Sequence, residues 1–507
     1  MEKDLILTCD AGTTAAKVTA FRLDGTAIHS VRGEYPTAFP KPSWAEQSPP
    51  MVLRAVTEGI RELLRQIPPE RIAVVGLSGT MNGRIPVDDT GRPLHPNIIH
   101  SDSRAAGEVA EIAAAISPGD FYRLTGNRLD HHYTLPKILW LRKHRPTVYR
   151  SARWWLNTKD YLYGYLTGQF GVTDYSDASL TIALDIENKR WAGELLRDLD
   201  VDAARMPDIL PGHDVSGRVR PAASRETGLL VGTPVAVGGG DGACAARGAG
   251  LGSPGSAYAC IGSSAWVSQL TERPMLDPGA RVFNYLDMNG SDNHVCGTVQ
   301  CGAEAYDWAV KHLLVGECHD AKKSDALSRA ENMARQAPPG AEGVIFLPTL
   351  MGERTPYWDA NTRGCIMGFT LYHNRNHIAR AVYEGVAYAL YSCAEVMREM
   401  GVPVESLMLT GGGAKSGLWP DIMASVFGVP AMVHATPGES TSLGAAIAAG
   451  VGVGLYADYR QGAQAVRARS THAVNPAWAE KYRAEYPIYA RMYQRLKPLF
   501  DDIAALP

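Results

Sequence analysis

The first 31 residues constrain the fold more than any other segment of the chain. They contain three strand-like segments, 5–9, 17–23 and 26–31, separated by the polar turn 10–14 and by Asp24-Gly25. An Asp-Gly pair between such segments is typical of a tight β-hairpin. Three consecutive antiparallel strands exclude a simple Rossmann unit, because that unit places a helix directly after its first strand.

A similar hairpin pattern occurs again in the second half of the chain. Residues 256–261 and 265–270 are strand-like and flank the polar turn Gly262-Ser263-Ser264. In the first half, a helical pattern over 49–66 and a buried strand over 72–77 complete a ββαβ order. The repeat predicts an α/β protein of two similar domains, each with a mixed sheet and helices on its faces.

The segment 248–255 is rich in glycine and proline, which mark loops rather than helices or strands. We therefore predict an N-terminal domain over 1–247 and a C-terminal domain over 248–507. The second half continues with a predicted helix over 376–400, which Gly401 ends, and with a buried strand over 407–410.

Composition limits the classes of function. The chain has 507 residues, of which 45% are hydrophobic and 20% charged, and its net charge is −3. This balance argues against a nucleic-acid surface. The eight cysteines, none at CxxC spacing, are expected to be buried, reduced thiols of a cytoplasmic protein. The sequence contains no signal peptide and no apolar stretch of membrane-spanning length, so no membrane contact is expected.

The first turn is a candidate phosphate site. Gly12 allows close approach of the backbone, and Thr13 and Thr14 add hydroxyl donors. Asp10 is expected to hold Mg²⁺ through water, since Mg²⁺ keeps much of its hydration shell. Gly262-Ser263-Ser264 is the matching turn of the second half, and two such hairpins can clamp phosphates from opposite sides. The alternative is a pair of ordinary polar hairpin turns.

Two glycine runs follow buried strands. Gly238-Gly239-Gly240 precedes Asp241, which opens a helix and is favoured there as an ionised carboxylate. The glycines are expected to clear space for a ligand, although a plain N-cap is the alternative. Gly411 to Ala414 ends a strand before a helix, which suits a flat ligand such as adenosine. No GxxxxGK[ST] exists, and His131-His132 lacks convergent partners for a metal.

In order and spacing these motifs resemble the FGGY carbohydrate kinases, within the actin-like group of hexokinase, Hsp70 and actin. The resemblance runs from Leu5 to about Ala457 and includes 351–356 and 364–369. Lys159-Asp160 and Ser176-Asp177-Ala178 also stand where the family has similar residues. The implied fold class is α/β, with two actin-like (ribonuclease H-like, ASKHA) domains. Each domain has a mixed five-stranded sheet flanked by helices, and the active site lies in the cleft between the domains.

The resemblance also implies roles. Asp241 corresponds to the catalytic base, which takes the proton from the attacking sugar hydroxyl, and Asp10 to the carboxylate at the Mg–ATP site. The implied cofactors are ATP and Mg²⁺. A loose phosphoryl-transfer transition state depends on positioning and charge neutralisation more than on a strong base. The implied ATP-binding residues are Gly12, Thr13, Thr14, Lys17, Gly262, Ser263, Ser264, Gly411, Gly412, Gly413 and Ala414.

Within the family, the chain is most similar to the D-xylulose kinases. Where that branch has Met-His-Gly, Trp-Asn-Asp and Asp-Asn, this chain has Met81-Asn82-Gly83, His100-Ser101-Asp102 and Asp241-Gly242. These departures leave the kinase assignment intact but open the identity of the sugar. D-xylulose is the first choice, and gluconate, ribulose, erythritol or an autoinducer-2-like sugar are the alternatives. The implied sugar-binding residues are Met81, Asn82, Asp102, Arg104 and Gly242.

Two other classes of protein use the same kind of cleft. A non-catalytic sugar sensor would lack the base or a phosphate turn, but Asp10 and Asp241 are both present. An Hsp70-like ATPase would need a β-rich substrate domain after its ATPase, and the tail here is short and helical. The expected partners are a small-molecule sugar and ATP, with no nucleic acid and no membrane. The oligomeric state is open, and a homodimer is one option.

Overall fold

The structure is a computed structural model that describes residues 3–315 and 323–506. Its strands, in chain order, are β1 (Leu5–Ala11), β2 (Ala15–Arg22), β3 (Ala27–Glu34), β4 (Glu46–Gln47), β5 (Ile72–Gly79), β6 (Ile85–Val87), β7 (Asn97–Ile98), β8 (Trp154–Leu156), β9 (Val172–Asp174), β10 (Leu184–Asp185), β11 (Arg190–Trp191), β12 (Asp208–Leu210), β13 (Gly217–Arg218), β14 (Pro234–Val235), β15 (Gly239–Gly240), β16 (Ala257–Ile261), β17 (Ala265–Thr271), β18 (Phe283–Leu286), β19 (Asn293–Val299), β20 (Ile345–Leu347), β21 (Cys365–Met367), β22 (Leu407–Thr410), β23 (Ala431–His434) and β24 (Ala468–His472).

The α-helices lie mostly on the faces of two large sheets. They are α1 (Pro49–Leu63), α2 (Glu108–Ala115), α3 (Pro118–Thr125), α4 (Thr134–His144), α5 (Pro146–Ser151), α6 (Thr158–Thr167), α7 (Tyr175–Ser179), α8 (Gly193–Asp198), α9 (Pro221–Thr227), α10 (Asp241–Gly248), α11 (Ala303–Ala309), α12 (Lys323–Gln336), α13 (Arg375–Glu399), α14 (Trp419–Phe427), α15 (Ser440–Gly452), α16 (Tyr459–Ala463) and α17 (Pro476–Ala504).

The first large sheet has the strand order β13-β14-β5-β1-β2-β3, and β15 also pairs with β5. β1, β2 and β3 are antiparallel neighbours, whereas β5 runs parallel to β1. The turn between β2 and β3 contains Gly25 at a φ of 79°, a conformation that glycine adopts without strain. The three-strand start and the strand at 72–77 that the sequence predicts are confirmed, and so is the exclusion of a Rossmann unit.

The second large sheet repeats this arrangement, with the order β18-β19-β17-β16-β22-β23-β24. β16 and β17 form an antiparallel hairpin, and β22 runs parallel to β16 as β5 does to β1. Each sheet has seven strands where five were expected. In the first sheet, β14 and β15 are parts of one strand interrupted at Gly238, and β13 is a two-residue edge. In the second, β18 and β24 extend the edges.

Helices α10 and α15 cross between the two sheets in backbone contact. A Cβ atom added at Gly248 would lie 1.7 Å from the Ser440 carbonyl oxygen, and one added at Gly444 would lie 1.8 Å from the Cys244 carbonyl oxygen. A Cβ atom at Gly76 of β5 would lie 2.5 Å from the Ala445 carbonyl oxygen. Helix α15 therefore packs on the first sheet although it follows the second sheet's β23 in the chain.

We expect Gly444→Ala to destabilise the protein by about 1–3 kcal/mol or more, because the clash is with backbone that cannot rotate away. Gly193→Ala is the matched control, since an added Cβ atom at Gly193 meets nothing within 4 Å. Its unfolding midpoint in denaturant should equal or slightly exceed that of the wild type. Equal midpoints for the two variants would contradict the close helix crossing.

Seven of the eight cysteines lie in the described residues and are free thiols. Cys260 and Cys365 are half-buried and the other five are buried, while Cys318 lies outside the described residues. The expectation of unpaired thiols is therefore confirmed for these seven, though two of them are only half-buried. Of the described helices, none is both long enough and apolar enough to cross a membrane.

Candidate active site

The glycine run before Asp241 allows its strand to pack closely against the first sheet. β15 pairs in parallel with the end of β5, and Asp241 then opens α10. A Cβ atom added at Gly238 would lie 2.0 Å from the Leu77 carbonyl oxygen, and one added at Gly240 would lie 2.5 Å from Cγ of Met81. The expectation that these glycines clear space for a ligand is wrong, because the protein's own atoms fill that space.

The Asp241 side chain is half-buried at the start of α10. Burial raises the pKa of Asp241 to about 7, and the negative charge of Asp10 contributes in the same direction. Hydrogen bonding to the backbone amides of Gly242 and Met81 opposes the shift. A carboxyl group with this pKa can exchange a proton near neutral pH, as a general base must.

Asp10 lies in β1, opposite Lys17 of β2 and Ser78 of β5. Its Oδ1 atom is buried and has no hydrogen-bond partner among the described residues. Burial raises the pKa of this carboxyl above its ordinary value. A buried carboxylate oxygen without a donor is a position that a bound cation would stabilise.

The two predicted phosphate turns have the same form. Thr13, Thr14, Ser263 and Ser264 are all exposed, and each pair joins the antiparallel strands that begin one of the large sheets. The first turn is closed by the amide of Gly12, which donates to the Ala15 carbonyl oxygen at 3.0 Å. Both hairpins therefore present hydroxyl groups at corresponding ends of the two sheets.

Lys17 contacts the segment that leads into α15. Its Nζ atom donates to the Gly438 carbonyl oxygen and lies 3.3 Å from Oε1 of Glu439. The Thr19 hydroxyl lies 3.5 Å from Oε2 of the same glutamate. The structure thus joins the first hairpin to the turn before α15 through an ion pair, beside the predicted ATP contacts.

The predicted adenosine loop follows β22, next to the end of β16. Gly411 has a φ of 81°, and a Cβ atom at Gly413 would lie 2.4 Å from Cγ2 of Ile261. Nothing lies within 4 Å of a Cβ atom added at Gly412. Gly411 and Gly413 therefore serve backbone geometry and packing, whereas Gly412 borders open space where a ligand can lie. Ala414 is buried.

A cavity of about 630 Å³ lies between the two halves of the chain. Two buried polar atoms of its lining residues, Oδ1 of Asn82 and Oγ1 of Thr298, have no hydrogen-bond partner in the part of the chain described. Burial lowers the pKa of His100 to about 4, so its neutral ring can both donate and accept. The lining residues are Asn82, His100, Ser101, Arg128, Asp130, His132, Tyr133, Leu180, Phe283, Thr298, Gln300, Met351, Glu353, Arg354, Trp358, Asp359 and Ala360.

Asn82 takes a φ of 61°, a left-handed conformation that asparagine tolerates better than most residues. Nζ of Lys137 donates to its carbonyl oxygen at 2.5 Å and to that of His132 at 2.7 Å. Burial lowers the pKa of Lys137 to about 7. Met81 is buried, and a Cβ atom at Gly242 would lie 3.4 Å from its sulfur, so position 242 tolerates a Cβ atom.

The other two predicted sugar-binding residues form a buried ion pair. Oδ2 of Asp102 accepts from the Ala45 amide at 2.5 Å and from Nη2 of Arg104 at 2.7 Å. The guanidinium lies 3.8 Å from the Trp44 ring and 2.7 Å from Glu46. Arg104 lines a separate cavity of about 470 Å³ rather than the one between the halves. Within the described residues, the pair packs beneath the segment that follows His100 and so has a structural role there.

Family models match both halves of the chain. The model of the FGGY family of carbohydrate kinases, N-terminal domain, matches residues 5–248, and that of its C-terminal domain matches residues 257–453. The chain belongs to the FGGY family of carbohydrate kinases.

Individual relatives carry two activities in their names. The xylulose kinase of Staphylococcus epidermidis is 30% identical over 513 residues, with 100% of both chains covered. The gluconokinase of Bacillus subtilis is 28% identical, with 98% of this chain and 97% of its own covered. The crystal structure of xylulose kinase from Rhodospirillum rubrum has a TM-score of 0.91 at 27% identity, with 98% of this chain and 100% of that chain covered. This FGGY chain is thus a carbohydrate kinase similar to xylulose kinases over its full length.

Sequence reasoning missed the cavity side chains that come from the second half. Glu353 is buried, its Oε1 accepts from the amides of Gln300 at 2.7 Å and Arg354 at 2.8 Å, and burial raises its pKa to about 7. The Arg354 side chain is exposed and has no hydrogen-bond or ion-pair partner among the described residues. The motif at 351–356 was the signal for both. Thr298 carried no signal, since it lies in an ordinary strand.

The His131-His132 pair does have a convergent partner, contrary to the sequence expectation. Nδ1 of His132 lies 2.6 Å from Oδ1 of Asp130, and Nδ1 of His131 lies 3.8 Å from it. The preceding residue of the same loop supplies this carboxylate, so sequence proximity hid the convergence. Asp130 and His132 line the cavity, so these two side chains offer polar atoms to a ligand.

Proposed function

We propose that the protein transfers the γ-phosphoryl group of ATP to a hydroxyl group of D-xylulose, giving D-xylulose 5-phosphate. One observation carries the proposal: Asp241, a carboxyl group with a pKa near 7, lies at a helix start at the same end of the first sheet as Asp10, whose Oδ1 atom is buried. Similarity to xylulose kinases at 30% identity over the whole chain supports the choice of sugar.

In this mechanism Asp241 accepts the proton of the attacking hydroxyl as phosphoryl transfer proceeds. A loose transition state asks little of the base, so a carboxylate suffices if proton transfer is late. The hydroxyl and amide groups of the two turns, at Gly12 to Thr14 and Gly262 to Ser264, hold the phosphates. Gly411 to Ala414 borders the adenosine.

The residues present fit a magnesium ion. Oδ1 of Asp10 is buried and unpartnered among the described residues, and Mg²⁺ prefers carboxylate oxygens and water. Asp10 is proposed to hold the ion through water, next to the first turn. The ion would neutralise phosphate charge, while the turns and Asp241 orient the reactants.

Gluconate is the second candidate, because the cavity contains two guanidinium groups. Arg354 is unpaired among the described residues, and Arg128 lies 5.1 Å from the Trp358 ring with one hydrogen bond to the Ala280 carbonyl oxygen. Such groups bind carboxylates well. The gluconokinase of Bacillus subtilis, at 28% identity, supports the same alternative.

The test is kcat/KM for D-xylulose, gluconate, L-ribulose, erythritol and glycerol on one preparation, with ADP release coupled to a spectroscopic readout. We expect D-xylulose to exceed each of the others by about tenfold or more. If kcat/KM for another substrate exceeds that for D-xylulose tenfold, the assignment of the sugar is wrong and the assignment as a kinase stands. ADP release that no sugar accelerates would instead favour a sensor or a simple ATPase.

The activity should depend on pH through Asp241. The ionised form is the base, so kcat/KM should rise with pH and level off above a midpoint of about 7. The measurement is a pH profile of kcat/KM for the sugar at saturating ATP, with enzyme stability checked at each pH. A flat profile across the range from about pH 5.5 to 8.5 would contradict the assignment.

A further inference from the structure

A buried polar cluster lies next to β15, the short strand that directly precedes Asp241. Lys159, at the start of α6, has no exposed side-chain surface, and three aspartates surround its ammonium group. The Nζ distances are 2.5 Å to Asp160, 2.9 Å to Asp174 and 3.4 Å to Asp177. Burying four ionisable groups is unfavourable unless they satisfy one another, so a cluster of this size needs a reason.

The cluster connects to β15 through one hydroxyl group, that of Ser176. The Ser176 hydroxyl donates to Oδ2 of Asp174 at 2.5 Å, and the amide of Gly240 donates to Oγ of Ser176 at 3.0 Å. Ser176 is completely buried. The order of contacts is therefore Lys159, Asp174, Ser176 and then the amide of Gly240, the residue before Asp241.

The local chain geometry explains why this contact is available. Asp174 ends β9 and caps α7, accepting from the amide of Ser176 at 2.8 Å, which fixes the serine beside β15. A Cβ atom at Gly240 would lie 2.5 Å from Cγ of Met81, so the Gly240 peptide is confined from the opposite side. The peptide is thus held between Met81 and Ser176.

We propose that Ser176, anchored by Asp174 and Lys159, is a positioning residue that fixes the Gly240 peptide and so aims the Asp241 carboxylate at the sugar hydroxyl. The proposal rests on the proposed role of Asp241 as base. Because the Ser176 hydroxyl gives its proton to Asp174 at 2.5 Å, its oxygen is held as the acceptor of the Gly240 amide. Small displacements of a catalytic group, on the order of 1 Å, lower rates by about 100-fold.

The third aspartate of the cluster, Asp177, differs from the other two. Both oxygens of Asp177 are buried without a hydrogen-bond partner among the described residues. Burial and the neighbouring carboxylates raise the pKa of Asp177 well above its ordinary value, while Lys159 opposes the shift. Lys159 therefore pairs mainly with Asp160 and Asp174. Asp160 lies in the first turn of α6, and Asp174 holds Ser176.

The experiment compares Ser176→Ala with Ser179→Ala. Ser179 is also buried in α7, and its hydroxyl likewise accepts a backbone amide of another element, that of Leu286 at 3.1 Å; it donates to the Ser176 carbonyl oxygen at 2.9 Å rather than bonding to Gly240. We expect Ser176→Ala to lower kcat by about 10- to 100-fold, with KM for ATP and sugar within about threefold of wild type. Ser179→Ala should keep kcat near wild type at a similar loss of thermal stability.

Ser176→Cys is a graded variant, since sulfur is a weaker and longer-range acceptor in a side chain of nearly the same shape. The expected order of kcat is wild type, then Cys, then Ala, and Ser176→Cys alone serves if Ser176→Ala does not fold. Equal losses of kcat in Ser176→Ala and Ser179→Ala, or an unchanged kcat in Ser176→Ala or Ser176→Cys, would overturn the positioning role. Asp241→Asn measured alongside separates the two proposals: if it is active, the base assignment fails, whereas an inactive Asp241→Asn beside an active Ser176→Ala refutes only the positioning role.

Discussion

Asp241→Asn is expected to lower kcat by about 10²- to 10⁴-fold while leaving ATP binding unchanged. The substitution nearly keeps the size of the side chain and its place at the start of α10, while it removes the charge and the ability to accept a proton. Turnover is measured by coupled ADP release with D-xylulose, and nucleotide binding by calorimetry. Asp214→Asn is the control, because that carboxylate accepts from the Ser216 amide, outside the site.

The same variant should be more stable than the wild type above neutral pH. The pKa of Asp241 is raised from an ordinary 3.8 to about 7 in the folded protein. The folded state therefore binds this proton more tightly than the unfolded state, and the stability that it contributes is present below pH 3.8 and lost as pH rises through about 7. Ionising Asp241 in the folded protein costs about 1–3 kcal/mol of stability, after allowance for the partial solvent contact of the site. Asparagine cannot ionise and avoids this cost.

Opposite changes in turnover and stability distinguish a base from a structural aspartate. Loss of both activity and stability in Asp241→Asn would indicate a structural role in the first turn of α10, whose N-cap is Gly240, and near-normal turnover would refute the assignment as base. An increase in the unfolding midpoint at about pH 8 that disappears at about pH 4 is the expected pattern. It reflects a general feature of functional sites, where groups are held in unfavourable environments.

The fold could be read from the sequence where local patterns match the tertiary contacts. Strands β1 to β3 lie within a few residues of the predicted segments, and helix α13 spans Arg375–Glu399 against a prediction of 376–400. Gly401, with a φ of 84°, follows that helix as expected. The position of α15 on the first sheet could not be read, because nothing local in its sequence specifies which sheet it covers. The domain boundary at 247/248 stays a prediction.

The site was predictable only in part, for a related reason. Motifs report what a backbone segment can do, whereas the cavity is formed by side chains from distant segments. Asp10 and Asp241 stand out because turns and helix starts give carboxylates a local chemical meaning. Thr298 lies in a strand with no distinguishing sequence pattern. Arg104 forms an ion pair with Asp102, which the sequence did not predict. The glycines before Asp241 were correctly singled out but for the wrong reason, since they pack against Leu77 and Met81.

The second large effect concerns the sugar, at Asn82 and Gly242, two positions near Asp241 where the chain departs from the pattern expected of xylulose kinases. Asn82 replaces a histidine and Gly242 replaces an asparagine, so two groups that could bond sugar hydroxyls are changed. Each unpaired hydrogen-bonding group in a closed site costs about 1–3 kcal/mol. Together the two changes correspond to a loss of roughly 30- to 10⁴-fold for D-xylulose if nothing replaces them.

The backbone accommodates the first atom of each reversion: a Cβ atom fits at position 242, and position 82 has a conformation that histidine tolerates. A Cβ atom at Gly242 meets Met81 at 3.4 Å and the Tyr285 hydroxyl at 3.9 Å, which are ordinary contacts. Position 82 has a φ of 61°, and histidine is among the residues that adopt this conformation more readily than most. Neither substitution should disturb the backbone that Lys137 holds through the Asn82 carbonyl oxygen.

We therefore expect Asn82→His with Gly242→Asn to raise kcat/KM for D-xylulose relative to gluconate by about 30-fold or more. The single substitutions show whether the effects add, as they should if each restores a separate hydroxyl contact. Arg354→Gln is the companion variant: it should lower activity with gluconate more than with D-xylulose, because only the acid offers a carboxylate to the guanidinium. An unchanged preference in the double variant would mean that other cavity residues, such as His100 and Thr298, determine which sugar is bound.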